Sequence, residues 1–360
     1  MSFDLIPYLG LTAAADVTND RQVQASAYEE LRKIADARQW HELTEQNAYV
    51  RQMKDDPSLF SRDIGDYRMK WGYVGLARAL DRWMPPYEAL RLITLGSLIT
   101  LLGATIWLLW ESDTLQSLFI VPPVLMAGEL NYDVGSTTPD MLALASAALL
   151  LVAWLSSTRR WSVMALSACC VAIRPDMIFI VAGIFAAALL FRGARLTAVL
   201  AFGCSVIVVG GERLATSYAG WWQHVSAALY GSTAVAAGAP PFSFTGYAAA
   251  WLWQMVRIAA TGAYLYVIVL LFVAYVGLAK QRTSANHIQD VLFYGVLAGL
   301  LGRMIVFPTT EARFFLPTLF MMSILLAIRL RPDFSQGFAS VLTPWFAPLR
   351  RPTSSATPNE

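Results

Sequence analysis

Residues 89–110 read ALRLITLGSLITLLGATIWLLW, and Arg91 is the only charge among them. A helix crosses the hydrocarbon core of a bilayer with roughly 20 apolar residues, in a range of about 17–25. This run therefore reads as a transmembrane helix. Further apolar runs follow near 116–129, 139–157, 161–173, 177–191, 196–211, 261–279, 289–307 and 313–330. Those at 139–157, 261–279, 289–307 and 313–330 are also long enough to span alone. The runs 161–173 and 177–191 are short and are split by Arg174-Pro175-Asp176. Polar backbone at membrane depth is tolerated only when buried in protein or facing water, so this pair reads as a broken or re-entrant element. The expected fold is an all-α, polytopic transmembrane helical bundle of about 8–10 membrane segments, some short or re-entrant.

Composition agrees. Of 360 residues, 56% are apolar and 14% charged, against about a quarter charged in soluble domains; mean hydropathy is +0.49. The charge divides the chain in three, with 24 Asp, Glu, Lys and Arg residues in 1–87, 23 in 88–330 and 5 in 331–360. Residues 1–87 are a polar N-terminal segment with amphipathic helices, 88–330 the multi-span domain, and 331–360 a cytoplasmic tail, disordered at its end. A cytosolic globular enzyme and a disordered or fibrous chain are excluded. A net charge of +2, with no basic stripe interleaved with aromatics, excludes a nucleic-acid partner. Cys169, Cys170 and Cys204 have neither disulfide nor zinc spacing. His41, His224 and His287 are too scattered for histidine-rich metal boxes, and no metal ligands are assigned. The first twenty residues lack a basic start and carry Asp4, which makes a poor signal peptide.

In the head, Ala27, Leu31, Ile34 and Ala35 keep helical spacing through 20–56. The chain breaks at Pro57, is expected to turn through Asp63, Gly65 and Asp66, and restarts as an amphipathic helix ending before Pro85-Pro86. Lysine and arginine collect in cytoplasmic loops. The turns 157–160, 192–195, 280–282 and 329–331 are therefore assigned to the cytoplasm, and 130–140, 174–176, 212–250 and 307–312 to the outside. The head falls outside too, which requires a crossing near 3–15, a stretch that is short and weakly apolar. The expected location is the plasma (inner) membrane, multi-pass.

The polar groups that stand out lie on that outer side. After Glu129-Leu130-Asn131-Tyr132-Asp133 comes Thr138-Pro139-Asp140, where Thr138 suits a helix cap, Pro139 the first helical position and Asp140 the first turn. Arg174 and Asp176 interrupt an apolar stretch; ionisable groups at such depth cost at least about 2.5–3.5 kcal/mol each, so they pair or face a wet cavity. Gly210-Gly211-Glu212-Arg213 joins a charge pair to the aromatic cluster Tyr218, Trp221, Trp222 and His224. An interfacial aromatic belt accounts for that cluster, with His224 as a hydrogen-bonding residue. Residues 231–250 read as a Gly/Pro/Ser loop. Finally, Arg303, Glu311 and Arg313 bracket a tight hairpin between two spans, on the side where arginine is unexpected. A planar, permanently charged fork suits a phosphate or diphosphate headgroup. The candidate phosphate-binding residues are Arg313, Arg303 and Arg174, and the candidate cavity-lining residues Asp176, Asp140, Glu311, Tyr132 and His224. Among the head carboxylates, Asp16, Asp20, Asp55, Asp56, Asp63 and Asp66, one held beside a phosphosugar would be the natural base.

This arrangement resembles the GT-C superfamily of integral-membrane glycosyltransferases, including its mannosyltransferase-like and aminoarabinose-transferase-like members. The similar parts are Thr18-Asn19-Asp20 with Tyr28, Ser61-Arg62-Asp63 before an aromatic amphipathic helix, Thr138-Pro139-Asp140, the broken Arg174-Pro175-Asp176 element, and Pro308-Thr309-Thr310-Glu311-Ala312-Arg313-Phe314 before Pro317. The resemblance covers most of 16–330. It implies a polyprenyl-phosphate-linked sugar and membrane lipid as partners. It also implies Asp20 (or Asp16) as base or metal-linked carboxylate, Arg313 as phosphate holder, and inverting attack of an acceptor hydroxyl at the outer face. Here Asn19 precedes Asp20 and Arg21 follows it, so the family's paired acidic motif is not clean. The cofactor is unassigned, with a divalent cation left open. The competing readings are an O-antigen-polymerase-like enzyme and a transporter or non-enzymatic membrane subunit. A transporter would show interrupted helices in matching halves, and the sequence shows one clear interruption, at 174–176.

Overall fold

The computed structural model describes residues 3–16, 18–46, 48–156, 160–215, 222, 225–226, 241–278, 287–309 and 311–330, apart from the side chains of 62 and 63. His224, the segment 231–240, the basic turns 157–159 and 280–282 and the tail 331–360, each read above from sequence, lie outside these.

Among the described residues the regular structure is all helical. The head begins with α1 (Leu5–Ala13), eight of whose residues, Leu5 to Thr12, are buried. Nine residues make about 13 Å of helix, well short of a bilayer, so α1 is not the crossing expected near 3–15. It is the centre of the head's own core, packed by α2 (Asp20–Ile34), α5 (Pro57–Arg68), α6 (Trp71–Asp81) and the start of α7 (Pro86–Glu111). The single polar helix expected over 20–56 is three: α2, α3 (Ala37–Thr44) and α4 (Ala48–Asp55). Asp36 divides the first two as the cap of α3, in a capping box with Gln39. The turn expected at Asp63–Asp66 is absent. Pro57 opens α5 at its first position with Asp56 as cap, and the helix runs through Gly65 because Phe60 and Ile64 are anchored in the head core.

In the bundle, α7 is followed by a 3₁₀ turn (Leu115–Ile120), α8 (Val121–Ala127), α9 (Leu130–Gly135), α10 (Asp140–Leu155), α11 (Arg160–Ile173), a 3₁₀ turn (Pro175–Met177), α12 (Ile178–Leu190) and α13 (Arg195–Ala215). Then come α14 (Phe244–Thr261), α15 (Ala263–Leu278), α16 (His287–Val306), a 3₁₀ turn (Ala312–Phe315) and α17 (Leu316–Leu330). Residues Leu316 to Ile328 of α17 are all buried; it is the central helix, touching α7, α8, α10, α15 and α16.

Pro86–Glu111, Arg195–Ala215, His287–Val306 and Ala312–Leu330 are long and apolar enough to cross a membrane. The pair α14–α15 would make a fifth span, bent by 80° at Gly262. The expected independent spans at 139–157 and 261–279 are helices of only 16 residues each, α10 and α15. Conversely, 196–211, not among the runs expected to span alone, lies in a helix of 21 residues, in which Gly210 and Gly211 stay helical and Glu212 is buried. The helix α14 occupies part of the stretch read as loop; Trp251, Gln254 and Arg257 hide its apolar pattern. The 174–176 break is confirmed, and Gly262 is a second one.

On α7, Leu92, Leu95, Ile99, Leu102 and Ile106 recur every three or four residues on one exposed stripe. Such a stripe is untenable in water and suits lipid. The tightest crossing is between α12 and α16. A Cβ on Gly183 would lie 2.1 Å from the Gly295 carbonyl oxygen, and one on Gly299 2.4 Å from that of Phe179.

Candidate functional site

The charged residues assigned to outer segments meet at one end of the bundle, where the head sits on it. Arg174, in the extended break between α11 and the 3₁₀ turn, is 2% exposed. It donates from Nη1 to Asp140 Oδ1 at 2.5 Å and approaches Asp176 Oδ1 from Nε at 2.9 Å. The other oxygen of Asp176 accepts from Nε of Arg303, in the last turn of α16, at 3.0 Å. Arg313 lies 3.7 Å from Asp140 Oδ2 and donates to Glu311 at 2.8 Å. It also donates from Nη1 to Asp4 Oδ2 at 2.5 Å, across 309 positions of chain. The ring of Phe314 lies within 4.6, 4.7 and 5.2 Å of the guanidinium carbons of Arg174, Arg303 and Arg313. Three like charges are tolerated this close because four carboxylates and an aromatic face lie among them.

Two cavities flank this cluster. One, of about 240 Å³, is lined on its polar side by Lys70, Arg174, Asp176, Arg213 and Arg303, with Asp66 at the head. Phe179, Val209, Val306, Phe307 and Phe314 form its apolar side. Nη1 of Arg303 is buried and has no hydrogen-bond partner among the described residues. The second cavity, about 400 Å³ and more open, is lined by Phe3, Asp4, Glu129, Tyr132, Glu311 and Arg313. Burial alone would raise the Asp4 carboxyl, but the Arg313 guanidinium, Lys70 and the Tyr67 hydroxyl together hold it below the usual carboxylate range. Burial depresses Lys70, against the pull of Asp4 and Asp140.

Of the residues expected at the site, the structure brings together Arg174, Asp176, Asp140, Arg303, Arg313, Glu311 and Tyr132, whose ring lies 6.0 Å from Arg313. Asp140 is more than a first-turn acid. Its helix starts after Pro139, and Thr138 donates to Asp140 at 2.9 Å instead of capping the backbone. Asp20 and Asp16 line neither cavity. Asp20 opens α2, paired with Arg68 at 2.6 Å and accepting from Ser61. Asp16 is exposed, and hydrogen bonds from Thr18 pull its carboxyl below the usual range. The head carboxylate beside Arg313 is Asp4, which sequence reasoning passed over as a signal-peptide breaker. An acid just before a short, mostly apolar helix was the available signal. Among the described residues no group of three or more His, Cys, Asp or Glu is arranged to hold a metal ion.

Compared with protein-family models, curated proteins and solved structures, the chain matches none of them.

Proposed function

We propose that this chain is a plasma-membrane glycosyltransferase that moves a sugar from a polyprenyl-phosphate donor to an acceptor hydroxyl at the extracytoplasmic face, with inversion. The observation that carries the reading is the smaller cavity, in which arginines and a lysine share one space with phenylalanines and valines. A phosphate joined to a hydrocarbon tail needs that combination. Arg303 has a donor to spare for it, and Arg174 stands beside it. The more open cavity, with its acidic rim and Tyr132, suits a hydroxyl-rich acceptor.

In this reading Asp4 takes the role that the resemblance gives to Asp20. Bound tightly to Arg313, Asp4 is a weak base in the resting site. Asp4 and Arg313 both line the acceptor cavity, so an acceptor hydroxyl that loosens this pair as it enters raises the basicity of Asp4, and acceptor binding arms the base. The acceptor oxygen attacks the anomeric carbon and its proton passes to Asp4. The bond from that carbon to the phosphate oxygen breaks, and the arginines stabilise the charge left on the lipid phosphate.

The test is transfer from a radiolabelled polyprenyl-phosphate sugar by the purified protein in vesicles, with binding of farnesyl monophosphate measured alongside. Asp4→Asn is expected to abolish transfer while leaving binding, and Asp20→Asn to retain transfer. The reverse result would return the base to Asp20; equal binding by Arg303→Leu and the unaltered protein would remove the phosphate site. The second helix break, at Gly262, favours a transporter instead; uptake of a solute without lipid turnover would establish that.

A further inference from the structure

One buried acid beside this site lines neither cavity and takes no part in the reaction described. Asp133, on α9, is 0% exposed, and neither of its carboxylate oxygens has a hydrogen-bond partner among the described residues. Its backbone is well held: the Asp133 carbonyl accepts from the Ser136 hydroxyl at 3.2 Å, and the Ser136 carbonyl accepts from Thr94 of α7. The fold thus places a carboxyl in the interior and, among the described residues, supplies no donor to it. A carboxylate so placed takes up a proton in preference to staying ionised.

It stands close to the ion cluster: the Ser136 hydroxyl that donates to its carbonyl also hydrogen-bonds the Thr138 hydroxyl at 2.9 Å, and Thr138 donates to Asp140, the partner of Arg174. The charges around it act in both directions, the carboxylates favouring the proton and the guanidiniums opposing it. The groups that act on it are Asp140 of α10, Arg174 of the break, Arg313 of the 3₁₀ turn and Glu129 at the start of its own helix. The neighbouring α8 has no ionisable residue, and Glu88, Arg91 and Glu111 of α7 are exposed.

We infer that Asp133 is the proton-holding group of the anion site, neutral while phosphate is bound, and that its ionisation closes the site to phosphate. Burial and the Asp140 carboxylate push Asp133 up to about 8, with Arg174 and Arg313 opposing. The site is therefore open below that pH and disfavoured above it. The proposal rests on the phosphate reading given above, but the location of the proton does not.

Two measurements test it. Infrared difference spectroscopy of the full chain in detergent reads the protonated carboxyl directly. A carboxylic C=O band is expected at neutral pH, lost with a midpoint near 8 and weakened in Asp133→Asn; equal bands in the two proteins overturn the inference. Binding of farnesyl monophosphate reads the coupling. Affinity is expected to fall about tenfold from about pH 7 to about pH 9.5 in the unaltered protein, for one added charge near the ligand. In Asp133→Asn, a neutral isostere, it changes only as the ligand's own ionisation dictates. Identical pH curves for the two proteins overturn the coupling. No binding by either protein at any pH overturns the phosphate reading and the coupling with it, and the infrared band then decides the proton alone.

Discussion

The bundle carries an ion cluster at each end. At the end away from the head, Arg329 of α17 donates to Asp290 of α16 at 2.6 Å, and Tyr275 of α15 donates to the same oxygen at 3.0 Å. The Arg329 guanidinium lies 4.4 Å from the Tyr275 ring, which itself stacks on Phe293. At the head end Arg174, Arg303 and Arg313 surround Phe314. Both clusters are buried, both join arginine to aspartate over an aromatic ring, and both leave arginine nitrogens without partners among the described residues. The head-end arginines line the two cavities described above, and neither of those cavities is lined by Arg329, Asp290 or Tyr275. A buried arginine with a spare donor is therefore not enough to mark a site; a buried arginine beside an amphiphilic void is.

That contrast is open to attack by substitution, most severely at Arg174. Arg174→Ala strips Asp140 and Asp176 of their shared cation and should cost about 3–5 kcal/mol, read as a lower melting temperature in detergent. Arg329→Ala should also destabilise, but Arg329→Leu with Asp290→Leu should recover most of the loss, since an apolar pair removes both buried charges. Next in size is function. Arg303→Leu should lower transfer by about 10²–10³-fold, while the Arg329/Asp290 double variant should retain it; equal losses would erase the distinction between the two ends.

Smaller effects sharpen it. Gly299→Ala should cost about 1–3 kcal/mol by forcing α12 and α16 apart, with Gly203→Ala, whose Cβ would meet open space, as the silent control. The pH dependence of melting separates two acids of the head end. Asp4 has a depressed folded pKa, so its stabilisation is complete above the ordinary carboxylate value, about 4, and is lost as pH falls through the lower folded value; Asp4→Asn should flatten that acid limb. Asp133 has a raised folded pKa, so stability should decline from about pH 4 to about 8, and Asp133→Asn should remove that decline. Smallest is Phe314→Leu, which gives up cation–π attraction worth about 0.5–2 kcal/mol and should lower the melting temperature slightly.

Much of this architecture was legible in the sequence where the signal is local. The apolar runs, the break at Arg174-Pro175-Asp176 and the gathering of Arg303, Glu311 and Arg313 at one end follow from hydropathy and from the order of the spans. Errors arose where a neighbour in space overrides local pattern. Gly65 looked like a turn but is carried through α5 by Phe60 and Ile64. The apolar run 196–211 stops at Gly211, but α13 continues through it to Ala215. Trp251, Gln254 and Arg257 disguised α14. Asp140 looked like a first-turn acid and is an ion partner of Arg174, 34 residues away.

Composition and periodicity alone determined that this is a polytopic helical chain with a polar head, and that arginines and aspartates interrupt its apolar runs. Hydropathy is a sum over adjacent residues, so it needs no fold to be evaluated. Which head carboxylate meets Arg313, and which side chains share a cavity with Arg303, were decided only by tertiary packing. An ion pair is set by a separation of a few ångströms between groups as much as 309 positions apart, and no local pattern encodes that distance.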